Sequence, residues 1–288
     1  EEWRKIGHQL TGLRKNNKIA LLIDNATLTA FKWFPIDRDL SYNDVVRWMY
    51  DSLYEMNLEC DVVDVNGLEP DRYHMIVTPA LYCASEELLT KLENFVTDGG
   101  VLVSTFKSFV ANEYSTVYAD TQPHRLHPCF GMSYNQFVEP GRTRLLGAKV
   151  KYFAELLKPE SAQSLADYEH KYWGGYAGIT RNTYGRGAAY YIGCYTEKHI
   201  LKNLLSQAAD DAGIQRLPEK YQWPLIIRSG QNRDGKTLHY ILNYSEETQN
   251  VPCIWRKAKD LITGEVFHNG DTLDIADWDL KILEEANR

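Results

Sequence analysis

Four short runs rich in apolar residues, interrupted by two amphipathic helical patterns, constrain the fold of the first hundred residues more than any other feature. Runs of this length with little polar character are typical of strands buried on both faces of a parallel sheet. The helical patterns lie at 41–57 and 86–96, and the runs are "KIALLID" (18–24), "CDVVDV" (60–65), "HMIVTPA" (74–80) and "VLVST" (101–105). The order strand, helix, strand, strand, helix, strand predicts a doubly wound α/β sheet.

Polar residues at the ends of the helical patterns predict where the helices begin and end. Ser41 and Asp44 have the spacing of a capping box, and Ser85 precedes the second helical pattern. A third helical pattern follows Thr196, the predicted N-cap, and closes at Gly213. Further strands are predicted at 149–157, 175–182 and 187–193, and a hairpin turn joins the last two.

The two ends of the chain differ from its middle in their pattern of apolar and polar residues. Residues 1–16 have a helical pattern with one apolar stripe, which consists of Trp3, Ile6, Leu10 and Leu13. From residue 217 onward, short apolar segments alternate with Gly, Asn and Asp, which predicts a small antiparallel β-sandwich. The predicted organisation is a leading helix (1–16), an α/β domain (17–216) and a β-sandwich domain (217–288).

Charge and cysteine content exclude several functional classes. A net charge of −7 gives no general attraction to nucleic acid or anionic lipid, and no apolar run approaches the ~18 residues of a membrane-spanning helix. The five cysteines include no C-x-x-C pair, which argues against a zinc site and favours reduced thiols. We expect a cytoplasmic protein with no signal peptide, cofactor, metal ion, nucleic-acid partner or membrane partner.

The turn after the run at 101–105 is the first candidate site, because ligands and nucleophiles sit at the carboxyl ends of strands in open α/β sheets. A flavodoxin-like glutamine amidotransferase carries a cysteine at this turn, whereas this sequence has Thr105, Phe106 and Lys107. With no thiolate and no obvious base, the nucleophilic apparatus is missing. We expect Lys107 to have a structural or interface role, and the alternative is that it orients a carboxylate or a sugar hydroxyl.

Two other groups of reactive side chains have weaker patterns. Cys194 follows a predicted strand and His199 lies five residues further on, but residues five apart share a helix face poorly. A structural cysteine is the preferred interpretation, although an amidotransferase-like nucleophile stays open. His124, His127 and Cys129 lie within six residues, yet no fourth ligand has a suitable spacing, so no metal site is predicted.

Aromatic residues supply the remaining candidates. Phe31, Trp33 and Phe34 fall in a predicted loop after the first strand, where they belong either to the core or to an interface. Trp255 and Trp278, in the predicted β-sandwich, are candidate stacking platforms for a sugar. The sequence alone leaves these alternatives open.

The order of segments resembles the C-terminal half of the glycoside hydrolase family 42 β-galactosidases, and the resemblance spans nearly the whole chain. It is strongest over "YHMIVTPALYCASEELLTKLENFVTDGGVLVSTFKSFVANE" (73–113). It also covers "VVRWMYDSLYEMNLECDVVDV" (45–65), "ITRNTYGRGAAYYIGCY" (179–195) and the closing segment with "DLITGE" and "LDIADWDLKILE".

The resemblance implies a class I glutamine amidotransferase-like, flavodoxin-like trimerisation domain followed by a small β-domain. In that family a catalytic (β/α)8 barrel precedes these domains and hydrolyses terminal non-reducing β-D-galactosides through two glutamates. The implied chain therefore begins after the barrel and holds no catalytic residue. Its implied partners are its own copies, in a homotrimer of the full-length enzyme, while the missing barrel binds the galactoside.

The resemblance also implies that Lys107 occupies a nucleophile turn without its nucleophile. Trp33, Phe34 and Lys107 are then the candidate interface or sugar-adjacent residues. Two other functions stay open, namely a stand-alone amidotransferase-like enzyme that uses Cys194 and a carbohydrate-binding module.

Overall fold

The computed structural model describes residues 2–286, which form two compact units. The larger unit comprises Lys18–Ser52 and Cys60–Gln215, and the smaller unit comprises Leu53–Glu59 with the described residues up to Asn17 and from Arg216 onward. The α-helices are α1 (Glu2–Ile6), α2 (Asn25–Trp33), α3 (Tyr42–Glu55), α4 (Glu86–Thr97), α5 (His127–Phe130) and α6 (Lys198–Asp211). Short 3-10 helices lie at Gly7–Leu10, Val65–Gly67, Pro70–Arg72, His124–Leu126 and Glu219–Tyr221.

The strands of the larger unit form one large sheet and two small ones. They are β1 (Ile19–Ile23), β2 (Cys60–Asp64), β3 (Met75–Thr78), β4 (Val101–Thr105), β5 (Met132–Ser133), β6 (Phe137–Val138), β7 (Arg144–Leu145), β8 (Ala148–Lys149), β9 (Lys151–Glu155), β10 (Lys158–Pro159), β11 (Gln163–Glu169), β12 (Ala177–Tyr184), β13 (Gly187–Ile192) and β14 (Cys194–Tyr195).

The large sheet has nine strands and is mixed. Its parallel half has the order β2-β1-β3-β4-β13, and its antiparallel half continues as β12-β11-β7-β8. The strands β1 and β4 are buried along nearly their whole length, as their apolar sequences predict. Helices α4 and α6 pack on the central strands β4 and β13. The predicted α/β class is therefore confirmed.

Two of the three predicted helix caps are present. The Asp44 amide lies 3.3 Å from Ser41 Oγ while the Ser41 amide donates to Asp44 Oδ2, and the Leu88 amide donates to Ser85 Oγ. The predicted Thr196 cap is wrong, because α6 begins one residue later and the Thr196 hydroxyl donates instead to Lys149 O at 3.2 Å.

The structure differs from the sequence prediction at two other places. The leading helix ends at Ile6 and continues as a 3-10 helix, and the predicted stripe residue Trp3 is exposed. Strand β11 was not predicted, because it alternates buried Ala166 and Tyr168 with polar residues and is stabilised by pairing with β12.

The smaller unit is antiparallel. Its strands are β15 (Leu225–Gln231), β16 (Thr237–Asn243), β17 (Gln249–Pro252), β18 (Lys257–Asp260), β19 (Val266–His268), β20 (Thr272–Ile275) and β21 (Leu280–Glu285). A five-stranded sheet has the order β15-β16-β21-β18-β19, and β17 pairs with β20. Apolar side chains of both sheets meet in one core around Ile241, Leu273 and Leu283.

Within residues 2–286, no helix combines the length and the apolar character that crossing a membrane requires.

Candidate functional site

The turn after β4 is held in a backbone conformation that few residues adopt. Lys107 has a φ of +61°, in the left-handed region that side chains other than glycine usually avoid. The Phe106 amide donates to Ile192 O at 2.7 Å, and the Ala80 amide donates to Thr105 Oγ1 at 2.7 Å. A residue in an unfavourable conformation, flanked by residues that make these hydrogen bonds, indicates that the surrounding structure fixes the conformation of the turn.

A buried carboxylate holds the strained residue in place. Glu155, at the end of β9, is 1% exposed and accepts a hydrogen bond from the Lys107 amide at 2.8 Å. Its other oxygen accepts from the Tyr191 hydroxyl at 2.9 Å. Burial raises the pKa of Glu155 from 4.5 to about 7, and the hydrogen bonds from Lys107 and Tyr191 limit that rise. The carboxyl therefore titrates near neutral pH.

The Lys107 side chain lies over two phenylalanine rings. Its Nζ is 4.8 Å from the centroids of both Phe137 and Phe153, and those rings stack 5.3 Å apart. Burial lowers the pKa of Lys107, while the charge of Glu155 opposes that shift. Contact of an ammonium with aromatic faces favours the cation, so the two rings and Glu155 both oppose the loss of charge that burial favours.

Sequence reasoning identified Lys107 but missed the residues that position it. Phe137 and Phe153 are 30 or more residues away along the chain, so local patterns do not connect them with the turn. Glu155 did leave a signal, because it is the one charged residue in the apolar run "YFAELL" (152–157). A lone carboxylate in a buried strand needs a partner, and here the partners are an amide and a hydroxyl.

The second candidate nucleophile, Cys194, lies in the interior. Its side chain is fully buried, and burial raises its pKa to about 12. His199 is exposed on α6. A thiol in this environment is protonated and inaccessible, and no described contact joins it to His199 as a base. The geometry favours the structural interpretation of Cys194.

The histidine and cysteine residues at 124–129, in the 3-10 helix before α5 and in α5 itself, make contacts other than metal ligation. His124 lies 2.8 Å from Asp120 and 2.7 Å from Glu86, and its ring stacks on Tyr118. Cys129 is buried, and burial raises its pKa to about 12. In the described part of the chain, no three candidate ligands cluster as a metal site requires.

The predicted aromatic loop is the end of helix α2. Phe31 is 7% exposed and packs against Tyr42 and Tyr82, with centroids 6.0 and 5.2 Å apart. Trp33 ends the helix with 79% of its surface exposed, and Phe34 follows with 61% exposed. At the end of this helix, Phe31 is therefore part of the core, whereas Trp33 and Phe34 lie on the surface.

A cleft of about 380 Å³ opens at the carboxyl ends of β1, β2 and β3. The strand order reverses at β1, which is the place where open α/β sheets bind ligands. Asp24 accepts from the Ala26 and Thr27 amides at the start of α2, and Ser85 accepts from the Leu88 amide at the start of α4. Asp24, Glu87 and Glu113 line the cleft, and the lining Lys91 is paired with Glu87 at 2.8 Å. This excess of carboxylates does not suit a phosphate-bearing cofactor.

The geometry defines a mixed α/β unit whose turn after β4, Thr105–Lys107, has no cysteine, joined in sequence to a small antiparallel unit. A family model described as the beta-galactosidase trimerisation domain matches residues 17–215. The chain belongs to that family.

Several beta-galactosidases are similar to this chain over most of its length. One from Lactobacillus acidophilus is 28% identical over 97% of this chain, and one from a Planococcus species is 26% identical over 92%. The chain spans 42% of the length of each of these relatives.

Two solved structures share the fold. A beta-galactosidase from Bacillus circulans sp. alkalophilus has a TM-score of 0.90 at 23% identity, over 99% of this chain and 44% of its own. The beta-galactosidase Gan42B has a TM-score of 0.83 at 24% identity, over 95% of this chain and 41% of its own.

Proposed function

We propose that this chain is the non-catalytic assembly region of a longer β-galactosidase, and that the longer enzyme forms a homotrimer through its larger unit. Membership in the trimerisation-domain family supports this proposal. The observation that carries it is the exposed pair Trp33 and Phe34, which ends a helix of that unit with its aromatic surface in solvent. Exposed aromatic patches mark interaction sites, and tryptophan is enriched among residues that dominate binding energy.

The finer fold assignment belongs to the same proposal. The parallel order β2-β1-β3-β4-β13 corresponds to the flavodoxin-like order 2-1-3-4-5, which supports a class I amidotransferase-like domain. Lys107 then takes the place of the nucleophile on the strained turn. The domain limits 1–16, 17–216 and 217–288 and the β-sandwich form of the last domain stay predictions.

A cyclic trimer requires two different surface patches of one subunit to meet across each boundary. Trp33 and Phe34 form one candidate patch. The second is the surface near Lys107, where the ammonium lies beside Phe137, a ring with most of its surface exposed. Lys107 is thereby proposed as an interface or sugar-adjacent residue.

The longer enzyme is proposed to hydrolyse terminal non-reducing β-D-galactose residues in the cytoplasm. Its two catalytic glutamates would lie in a barrel that precedes this chain, and no residue of the chain is assigned to catalysis. The chain alone is expected to hydrolyse no chromogenic β-galactoside, whereas the longer protein does. Turnover by the chain that is lost on substitution of one of its own residues would contradict this assignment.

The assembly proposal is tested by sedimentation equilibrium of the longer protein. Trp33→Ala with Phe34→Ala is expected to weaken the trimer at least about tenfold, because aromatic anchors at an interface contribute about 2 kcal/mol or more. Tyr172→Ala is the matched control, since Tyr172 is an equally exposed aromatic residue of the same unit. A wild-type monomer at micromolar concentration contradicts trimerisation, while an unchanged trimer in the double variant contradicts only the placement of the interface.

A further inference from the structure

Three exposed aromatic residues occupy one end of the five-stranded sheet in the smaller unit. Trp223 precedes β15, Tyr244 follows β16 and Trp278 precedes β21, and these strands are neighbours in the sheet. Their exposed fractions are 52%, 38% and 64%. The rings of Trp223 and Tyr244 stack with centroids 6.0 Å apart and 15° between their planes. We call these three residues the aromatic platform.

Backbone hydrogen bonds join the segments that carry the aromatic platform. The Tyr244 amide donates to Pro224 O at 3.0 Å, and the Trp278 amide donates to Ser245 O at 3.1 Å. Trp278 has a φ of +51°, a conformation that is unfavourable for a bulky side chain. Such strain persists only where the surrounding structure enforces it, and it is concentrated at functional sites.

One buried amide side chain ties together the loops that carry Tyr244 and Trp278. The Asn243 amide nitrogen lies 2.8 Å from Glu247 O and 2.9 Å from Ala276 O, and its Oδ1 accepts from Ser245 Oγ at 2.7 Å. Asn243 is 3% exposed, so these bonds are shielded from water. A surface that is ordered before binding loses less conformational freedom when a ligand arrives.

The segments that carry the aromatic platform are acidic. Residues 222–224, 243–248 and 276–280 contain no Lys or Arg and four carboxylates, which are Glu246, Glu247, Asp277 and Asp279. Negative charge repels nucleic acid and anionic lipid. It also disfavours pairing of this surface with the same acidic surface of a second copy. Carboxylates and hydroxyls do accept hydrogen bonds from neutral hydroxyl groups.

We propose that the aromatic platform is a binding site for a neutral polysaccharide. The apolar C–H face of a pyranose ring packs against an aromatic face, and the ring hydroxyls donate to the acidic groups alongside. Because Trp223 and Tyr244 stack on one another, they offer one combined aromatic surface. Trp278, beside the neighbouring strand β21, offers a second one, so a chain of sugar units is preferred over a monosaccharide. This role is separate from assembly and does not depend on it.

The proposal is tested by native gel electrophoresis of the chain in gels without polysaccharide, with soluble β-1,4-galactan and with a soluble neutral glucan. Retardation of the wild-type chain by galactan is expected. Trp278→Ala and Trp223→Ala are each expected to weaken the apparent affinity about tenfold, the scale of one lost aromatic contact. Trp278→Phe keeps an aromatic face and is expected to retain most of the affinity. Trp3→Ala is the matched control, because Trp3 is an exposed tryptophan of the same unit outside the aromatic platform.

Three outcomes overturn the proposal. The first is unchanged mobility of the wild-type chain in galactan and in a neutral glucan. The second is that Trp278→Ala and Trp223→Ala are retarded by galactan as strongly as the wild-type chain, which would place sugar binding elsewhere. The third is a change in the sedimentation of the alanine variants without a change in retardation, which would assign the aromatic platform to a protein contact. Trp278→Phe distinguishes loss of the ring from loss of the fold, since it preserves a large side chain at the strained position.

Discussion

The segments after β4 and after β1 both begin at the carboxyl ends of parallel strands in the same sheet. Their side chains differ in burial: those after β4 are mostly buried, whereas two aromatic side chains after β1 are exposed. After β4, polar groups turn inward, and the amide of strained Lys107 is held by the buried carboxylate of Glu155. After β1, helix α2 buries Phe31 but leaves Trp33 and Phe34 in solvent. In the first segment the polar groups have hydrogen-bond partners within the chain. In the second segment, apolar surface of Trp33 and Phe34 is not covered by the chain itself.

This difference separates what stabilises the larger unit from what the unit offers to a partner. Groups that are buried and bonded contribute to folding, and removing one of them leaves its partner unsatisfied. Exposed aromatic side chains contribute little to folding but much to an interface. Stability measurements along these two segments therefore test the comparison directly.

Phe31→Ala is expected to produce the largest loss of stability in the two segments. Phe31 is buried against Tyr42 and Tyr82, and truncating a buried phenylalanine costs about 4 kcal/mol. Urea unfolding of the chain, followed by circular dichroism, measures the loss. Lys32→Ala, one residue further along and exposed, is the control. A loss below about 1 kcal/mol for Phe31→Ala would show that α2 is not anchored by this ring.

Near pH 5, where most of its contribution to stability is present, Glu155→Ala is expected to destabilise the chain by about 3 kcal/mol, because it leaves the Lys107 amide and the Tyr191 hydroxyl without their acceptor. Glu197→Ala is the control. The Glu197 side chain makes a half-exposed ion pair with Lys151 and no capping bond to α6, although it is the N-cap residue, and such pairs contribute at most about 1 kcal/mol. Equal effects of the two substitutions would contradict the claim that the turn depends on its buried carboxylate.

The same carboxylate gives the chain a predicted pH dependence. The pKa of Glu155 is raised by burial from 4.5 to about 7, so the folded state binds more protons than the unfolded state between those values. Its contribution to stability is therefore fully present below pH 4.5 and falls as the pH rises through 7, by up to about 3 kcal/mol. Unfolding measured from pH 4 to pH 8 tests this, and Glu155→Gln should remove most of the slope. A slope that survives in Glu155→Gln would assign the pH dependence to other groups.

The central strands and helices were predictable because their signals are local. Apolar runs mark β1, β3 and β4, and Ser41 and Ser85 cap the helices that they precede. Strand β11 gave no comparable signal, because its side chains are half polar and its pairing with β12 supplies the missing stabilisation. The predicted cap at Thr196 is one residue early, and its hydroxyl donates instead to a distant carbonyl, that of Lys149.

The candidate site was predictable only in part. Lys107 followed from its place at the end of a central strand, since topology brings such residues to the ligand edge of a sheet. Glu155, Phe137 and Phe153 are assembled around it by tertiary structure, which no periodicity in one segment encodes. The sequence does not indicate which aromatic residue of α2 is buried, Phe31 or Trp33, for the same reason. Burial depends on side chains from distant segments, such as Tyr82, that cover the ring.

The smallest effect on folding is expected for Trp33→Ala with Phe34→Ala. Both side chains are mostly exposed, so their loss should change the free energy of unfolding by less than about 0.5 kcal/mol each. Urea unfolding is measured at a concentration where the chain is monomeric, so that assembly does not contribute. The comparison with Phe31→Ala on the same helix is then internal, because one helix carries both kinds of aromatic residue. A loss near that of Phe31→Ala would mean that the exposed pair packs against the chain's own surface in solution, and the proposed interface would lose its main support.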